Sequence, residues 1–115
     1  MPALNFKKQF AHDVSAKKKR QTIRSTRKRP FKEGDKLFLY TGMRTKYCRS
    51  LGEAVCKKVS NIKITKTSVR INLKYLSWSQ ITDLAIADGF GGITDFLAFF
   101  EDNHGFPFEG QMIEW

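Results

Sequence analysis

The strongest constraint on the fold is a pair of alternating segments in the middle of the chain. Ile62 and Ile64 alternate with polar residues, and after a short turn Val69, Ile71 and Leu73 do the same. Because successive side chains of a strand point to opposite faces, each segment has one apolar and one cationic face. The spacing predicts an antiparallel hairpin, and such a hairpin is typical of a meander that closes into a small barrel.

Four further segments carry strand patterns. Residues 36–40 have apolar side chains on both faces, which predicts a strand covered on both sides. Residues 52–59 are apolar enough for one strand, with a bulge near Lys57 where the alternation breaks. Residues 22–24 and 108–115 predict two shorter strands. Together with the hairpin, these segments supply enough strands for a barrel wall.

Three segments carry the helical period. A four-residue apolar spacing from Phe6 to Val14 predicts a short first helix, with Asn5 as its N-terminal cap. Apolar residues at helical spacing over 78–85 and 93–100 predict two more helices. A glycine-rich step separates the last two, because glycine is poor inside helices and common just past their ends.

Length and composition favour one folded domain over residues 1–115. Apolar residues make up 41% of the 115, and ten Phe supply a core. No apolar run approaches the roughly 18 residues of a membrane span, and the N-terminus lacks a signal-peptide pattern. Cys48 and Cys56 do not make a zinc signature, and we expect reduced thiols and no metal or other cofactor. The expected protein is a cytoplasmic α+β domain, a small antiparallel β-barrel flanked by about three short helices.

Charge divides the chain into a basic and an acidic part. All 21 Lys and Arg lie at or before Lys74, together with only four acids. Residues 75–115 carry seven acids and no Lys or Arg. A long segment without cations is a poor binder of phosphates, so we expect the first part to build one basic face. The expected partner is a polyanion, RNA or another single-stranded nucleic acid.

The densest part of this face lies between residues 17 and 32, which hold nine Lys or Arg and no acid. In a strand, Thr22 and Arg24 would share one face while Ile23 faces the core. One interpretation is a basic groove lined by Thr22 and Arg24, and the other is a solvated basic loop followed by a short edge strand. The candidate nucleic-acid-binding residues are Lys18, Lys19, Arg20, Arg24, Arg27, Lys28 and Arg29, with Arg44 and Thr45 from a polar loop.

Three short motifs occur in a characteristic order. Lys-x-x-Thr-x-Arg occupies residues 19–24, Gly-Asp-x-Leu residues 34–37, and Asp-Gly-Phe residues 88–90, followed by a helix and a closing strand. This order resembles the ASCH domain (activating signal cointegrator homology), a small member of the PUA-like β-barrel superfamily. The resemblance covers almost the whole chain. It implies a compact α+β barrel with a positively charged cleft, for which RNA binding has been proposed.

The resemblance also implies an alternative activity. Some small bacterial ASCH proteins resemble amidohydrolases that deacetylate acetylcytidine, and a ribonuclease activity has been proposed for others. By position, their working set of a Lys, a Thr three residues later and a Glu corresponds to Lys19, Thr22 and Asp88. Asp88 departs from that pattern, because its carboxylate is one methylene shorter than that of Glu.

The chemistry expected of these residues follows from their neighbours. Thr22 would be the nucleophile and Lys19 its base, because nearby cations disfavour a protonated lysine. The two lie an odd number of residues apart, so we expect a turn or bulge at residues 20–21 to bring them together. RNA binding is the leading interpretation, and hydrolysis of a modified nucleoside or of RNA is the alternative. A third is an interaction domain whose basic face meets an acidic protein.

Overall fold

The structure is a computed structural model that describes residues 3–115, so the first two residues of the predicted domain lie outside it. The described part of the chain forms eight strands and three helices, which confirms the α+β class. In chain order the elements are β1 (Ala3–Phe6), α1 (Lys8–Ser15), β2 (Gln21–Ser25), β3 (Lys36–Thr41), β4 (Arg49–Val55), β5 (Lys58–Ile64), β6 (Val69–Ile71), β7 (Lys74–Tyr75), α2 (Trp78–Ala87), α3 (Ile93–His104) and β8 (Phe108–Glu114).

The described strands form two sheets and not one closed barrel. A three-stranded sheet has the order β1-β3-β4, and a five-stranded sheet has the order β2-β8-β5-β6-β7. β1 pairs with β3 in parallel, whereas the strand pairs of the five-stranded sheet are antiparallel. The predicted antiparallel barrel is therefore not confirmed, because no backbone ladder joins the two sheets within residues 3–115.

A side chain, and not a strand pairing, connects β1 to β2. The guanidinium of Arg24 on β2 donates a hydrogen bond to the carbonyl oxygen of Asn5 on β1, at 2.7 Å. The carbonyl of Asn5 is thus satisfied without a β2 backbone donor beside it. The gap between β1 and β2 stays open as a cleft between the sheets.

The hydrophobic core has two parts that meet at β8. Ile113 belongs to the part that the three-stranded sheet and α1 cover, and Met112 belongs to the part under α2 and α3. Alternate residues of β8 therefore face opposite sides, as the pleat requires. Phe90 and Phe99 pack against both parts and link them at the end where the cleft opens.

The first helix is shorter than predicted. α1 begins at Lys8, and Lys7 before it makes no side-chain cap. Asn5, the predicted cap, and Phe6, the predicted first apolar residue of the helix, both lie in β1. Phe6 is buried and pairs with Thr41 of β3, so a long-range pairing overrides the local helical spacing.

The two later helices form where their spacing predicts them. Ser77 caps α2 in a reciprocal capping box with Gln80. α3 begins after the glycine-rich step and buries Phe96 and Phe100. Within residues 3–115 no helix has the length and apolar character needed to cross a membrane.

The central hairpin is confirmed except at its end. Ile62 of β5 pairs with Ile71 of β6, and both contact the core under the helices. Asn72 then adopts a left-handed conformation with φ of 56°, so the chain turns and β7 forms on the far side of β6. Leu73, predicted to continue the apolar face, is 92% exposed at that turn.

The prediction of a single strand over residues 52–59 is wrong. This segment contains the end of β4 and the start of β5, which are connected through buried Cys56. The N–H of Cys56 donates to the carbonyl of Asp35 at 2.8 Å, which holds this connection against the start of β3. The bulge predicted near Lys57 occurs instead earlier in the chain, in β4. Leu39 of β3 faces Gly52 and the next residue, Tyr40, faces Ser50, so Leu51 is the extra residue.

Candidate functional site

A cleft of about 330 Å³ opens between the two sheets. Its walls come from β1, α1, the connection before β2, β2 itself, the α2–α3 connection and α3. One part of the lining is charged or hydroxylated, and the other part is aromatic. These two sets are Lys19, Thr22, Arg24 and Asp88, and Phe6, Phe10, Phe90 and Phe99.

The deepest polar feature of the cleft is an ion pair between Lys19 and Asp88, both of which are about 95% buried or more. The Lys19 Nζ donates to the Asp88 carboxylate at 3.0 Å and to the Asp88 backbone carbonyl at 2.5 Å. That carbonyl lies at the C-terminus of α2, where the helix dipole favours a cation. The Nζ also lies 4.9 Å from the ring centre of Phe10.

Burial sets the protonation behaviour of this pair. Desolvation lowers the pKa of Lys19 below its usual value, and the charge of Asp88 opposes that shift. Desolvation likewise raises the pKa of Asp88, and Lys19 opposes it. The direction predicted for Lys19 is correct, but its main cause is burial and not the predicted neighbouring cations. Among neighbouring cations only Arg24 contributes, since Lys18 and its other basic sequence neighbours are exposed.

The end of α1 places Lys19 in the cleft. Lys17 adopts a left-handed conformation with φ of 63°, and its N–H donates to the carbonyl of Val14. The N–H groups of Lys18 and Lys19 both donate to the carbonyl of Asp13. This turn directs Lys19 from the end of α1 into the cleft that Thr22 also lines. The turn or bulge predicted at residues 20–21 is wrong, because the turn ends before Lys19 and β2 begins at Gln21.

A close packing of α1 against the end of α2 places Asp88. Gly89, which follows Asp88, has φ of 97°, a conformation that glycine adopts without strain. A Cβ on Gly89 would lie 2.8 Å from the Phe10 ring. Only glycine therefore allows the Asp88 carboxylate to approach α1 this closely.

β2 presents Thr22 and Arg24 to the cleft and Ile23 to the core under the helices, as the alternation predicts. The Arg24 Nε donates to the Thr22 hydroxyl oxygen at 2.9 Å. The Arg24 guanidinium also lies 4.9 Å from the ring centre of Phe6. Desolvation lowers the pKa of Arg24, but a guanidinium keeps its proton at neutral pH.

A second hollow of about 570 Å³ continues from the cleft. The two share Asn5, Arg24, Ser25 and His104 in their walls. We call this hollow the arginine groove, because Arg24, Arg27 and Arg44 line it and no acid is among its lining residues in the described chain. A basic path therefore runs from the aromatic cleft to the loop between β3 and β4.

The remaining predicted binding residues lie elsewhere on the surface. Lys18, Arg20, Lys28 and Arg29 are exposed and line neither the cleft nor the arginine groove. Thr45 has a local role instead, because its hydroxyl donates to the carbonyl of Gly42 at 2.6 Å and accepts from the N–H of residue 47. Nucleic-acid binding by these residues stays a prediction.

Sequence reasoning missed Asn5 and the aromatic lining. The Asn5 carbonyl accepts from Arg24, and its side-chain oxygen accepts from the N–H of Met43 at 3.0 Å. His104 also lines both hollows, and burial, then Lys7, lowers its pKa. A lone Asn and scattered aromatic residues are more often structural, so no pattern in the sequence separates them from the core.

No cluster of three or more His, Cys, Asp or Glu side chains in residues 3–115 is arranged to bind a metal ion. Cys48 is exposed and Cys56 is buried, and neither forms a disulfide.

In comparisons with known proteins, no family model, curated protein or solved structure matches the chain. The resemblance to ASCH domains therefore rests on the order of the three motifs. Two of those motifs contribute Lys19, Thr22, Arg24 and Asp88 to the cleft.

Proposed function

We propose that this protein binds single-stranded RNA through the cleft and the arginine groove. The observation that carries the proposal is the continuity of the two hollows, with guanidinium groups along one and aromatic rings in the other. Proteins that bind single strands combine a cationic path for the phosphates with flat surfaces for unstacked bases. The arginine groove offers the cationic path, and the half-buried rings of Phe90 and Phe99 in the cleft offer the flat surfaces.

We also propose that the chain is a divergent ASCH domain whose two sheets correspond to an opened PUA-like barrel. The gathering of Lys19, Thr22, Arg24 and Asp88 around one cleft supports this assignment, since the motif order alone does not require those side chains to meet. The exposed cations outside the groove then act at longer range. They raise the local concentration of a polyanion without holding one phosphate in place.

The test is the affinity of a fluorescently labelled oligouridine, about six nucleotides long, measured by anisotropy over a range of salt concentrations. In the Arg27→Glu/Arg44→Glu variant we expect affinity to fall about 10- to 100-fold. The slope of log affinity against log salt becomes shallower by about 1.4, because two phosphate contacts are lost.

The matched control is Lys66→Glu/Lys74→Glu, which makes the same charge change. Lys74 lies on β7, four strands from β2 in the five-stranded sheet, which is about 19 Å at the usual strand spacing. This control retains the wild-type salt slope. Equal losses in the two variants, or wild-type binding that does not depend on salt, would contradict the proposal, and the second result would favour an acidic protein partner.

A hydrolase is a second candidate, because Lys19, Thr22 and Asp88 line one buried cleft. Two contacts work against it. The Asp88 carboxylate at 3.0 Å stabilises the protonated form of Lys19, which a base must lose. The Thr22 oxygen already accepts a hydrogen bond from Arg24. Turnover of acetylcytidine that vanishes in Lys19→Ala and Thr22→Val, and persists in Thr22→Ser, would establish this candidate.

A further inference from the structure

We infer that the ligand of the cleft carries a phosphate that lies in the arginine groove, so that the site takes a nucleotide in preference to a free nucleoside. This inference rests on the proposed RNA binding and assigns the two halves of the ligand to the two hollows. The uncharged base enters the aromatic cleft. The phosphate meets Arg24, Arg27 and Arg44.

The first reason is the different charge of the two hollows. In the cleft, the Lys19 cation is paired with the Asp88 anion at 3.0 Å, so the pair presents little net charge to a ligand. In the arginine groove, three guanidinium groups have no acid beside them among the described lining residues. Burial is the main cause that lowers the pKa of Arg24; the charge of Asp88 in the cleft opposes that shift, and the charge of Arg27 adds to it, as expected for neighbouring cations. A bound anion would relieve this repulsion.

The second reason is that each arginine comes from an anchored segment. Arg24 is fixed by its hydrogen bonds to Thr22 and to the Asn5 carbonyl. The guanidinium of Arg27 lies 5.0 Å from the ring centre of Phe31. Phe31 is buried, and both its N–H and its carbonyl bond to one glutamine amide of β8, at 3.2 Å each.

Arg44 is held by the loop that precedes β4. Its own backbone is left-handed, with φ of 66°, and the preceding N–H, that of Met43, donates to the Asn5 side chain at 3.0 Å. Gly42 packs so closely that a Cβ would lie 2.8 Å from the Tyr47 carbonyl. Asn5 thus ties Arg24 and the Arg44 loop to the same point of β1. Anchoring of this kind reduces the ordering that a ligand must impose.

The experiment is competition against the labelled oligouridine by uridine, uridine 5′-monophosphate, uridine 3′-monophosphate, the dinucleoside monophosphate of uridine, and inorganic phosphate. We expect at least one monophosphate to compete about 10- to 100-fold better than uridine, as a charge-assisted contact provides. Because Arg44→Gln also weakens binding of the labelled oligouridine, competition is compared as inhibition constants. In this variant the ratio of the uridine constant to the monophosphate constant falls, so most of the phosphate advantage is lost. Lys74→Gln, the control, alters neither constant.

The arms separate a terminal phosphate from an internal one. If the arginine groove binds a terminal phosphate, one of the two monophosphates is the best competitor. If it binds an internal phosphodiester, the dinucleoside monophosphate competes at least as well as either monophosphate. Equal competition by uridine and all phosphorylated ligands would overturn the inference, as would inorganic phosphate competing as well as a nucleotide. Salt-dependent oligouridine binding without competition by any of the small ligands also overturns it, while leaving RNA binding intact. Absence of oligouridine binding overturns both.

Discussion

Asp88→Ala lowers the free energy of unfolding by about 3–5 kcal/mol, because it leaves the buried ammonium of Lys19 without a counter-ion. Lys19 is 3% exposed and its Nζ has the Asp88 carboxylate at 3.0 Å, so solvent hydrates the unpaired ammonium only poorly. Urea denaturation followed by tryptophan fluorescence measures the change, since Trp115 is buried in the core beside Phe6. The control Glu53→Ala removes the exposed pair with Lys36, whose atoms are 3.7 Å apart, and costs less than about 1 kcal/mol.

Replacing both partners separates the cost of one unpaired buried charge from the contribution of the ion pair itself. In Lys19→Met/Asp88→Leu the buried charges are gone, and we expect the free energy of unfolding to return to within about 1 kcal/mol of wild type. The methionine keeps an apolar stem against Phe10. A double variant as unstable as Asp88→Ala would show that the pair holds the fold by its hydrogen bonds. An Asp88→Ala variant as stable as wild type would mean that Lys19 is not confined in the cleft.

Gly110→Ala lowers the free energy of unfolding by about 2–4 kcal/mol, because the new methyl group overlaps the backbone of β2. A Cβ at this position would lie within van der Waals overlap of the Arg24 carbonyl oxygen and 2.9 Å from the Phe108 ring. Gly110 pairs with Ser25 on one side and Ile62 on the other, so β8 cannot shift without disturbing both ladders. The strand that carries Arg24 must move, so the proposed RNA binding predicts a lower affinity for oligouridine as well.

The control for this variant is Gly92→Ala. Gly92 has φ of 173°, which is extended backbone that any residue adopts, and a Cβ there meets nothing within 4 Å. We expect a change below about 1 kcal/mol in urea denaturation, reflecting only the helix N-terminus. If Gly110→Ala unfolds at the same urea concentration as wild type, the close contact of β2 with β8 is not present in solution.

Local periodicity was sufficient to predict the elements whose partners lie nearby in the chain. The β5–β6 hairpin, α2 and α3 follow from apolar spacing, and the opposite facing of Thr22 and Ile23 follows from the strand pleat. Asn5 was assigned wrongly because β1 is stabilised by parallel pairing with β3, more than 30 positions away. That pairing leaves no signal in the short segment itself.

The site was only partly predictable for the same reason. Lys19 and Asp88 are 69 positions apart, and only the resemblance to ASCH domains predicted that they belong to one site. Barrel closure depends on which strand edges pair, and here an Arg24 hydrogen bond to Asn5, and not a backbone ladder, joins β1 to β2. Arg44 joins Arg24 because Asn5 anchors its loop, a side-chain contact that composition and spacing do not encode.

The most direct test of the account is to locate RNA on the folded chain by nuclear magnetic resonance. Amide chemical shifts are followed while unlabelled oligouridine is added to isotope-labelled protein. We expect the largest changes at Asn5, Lys19, Arg24 and Arg44, which surround the cleft and the arginine groove, and negligible changes at Lys74 on β7. Changes centred on β7, or spread evenly over exposed lysines, would contradict a binding site between the two sheets.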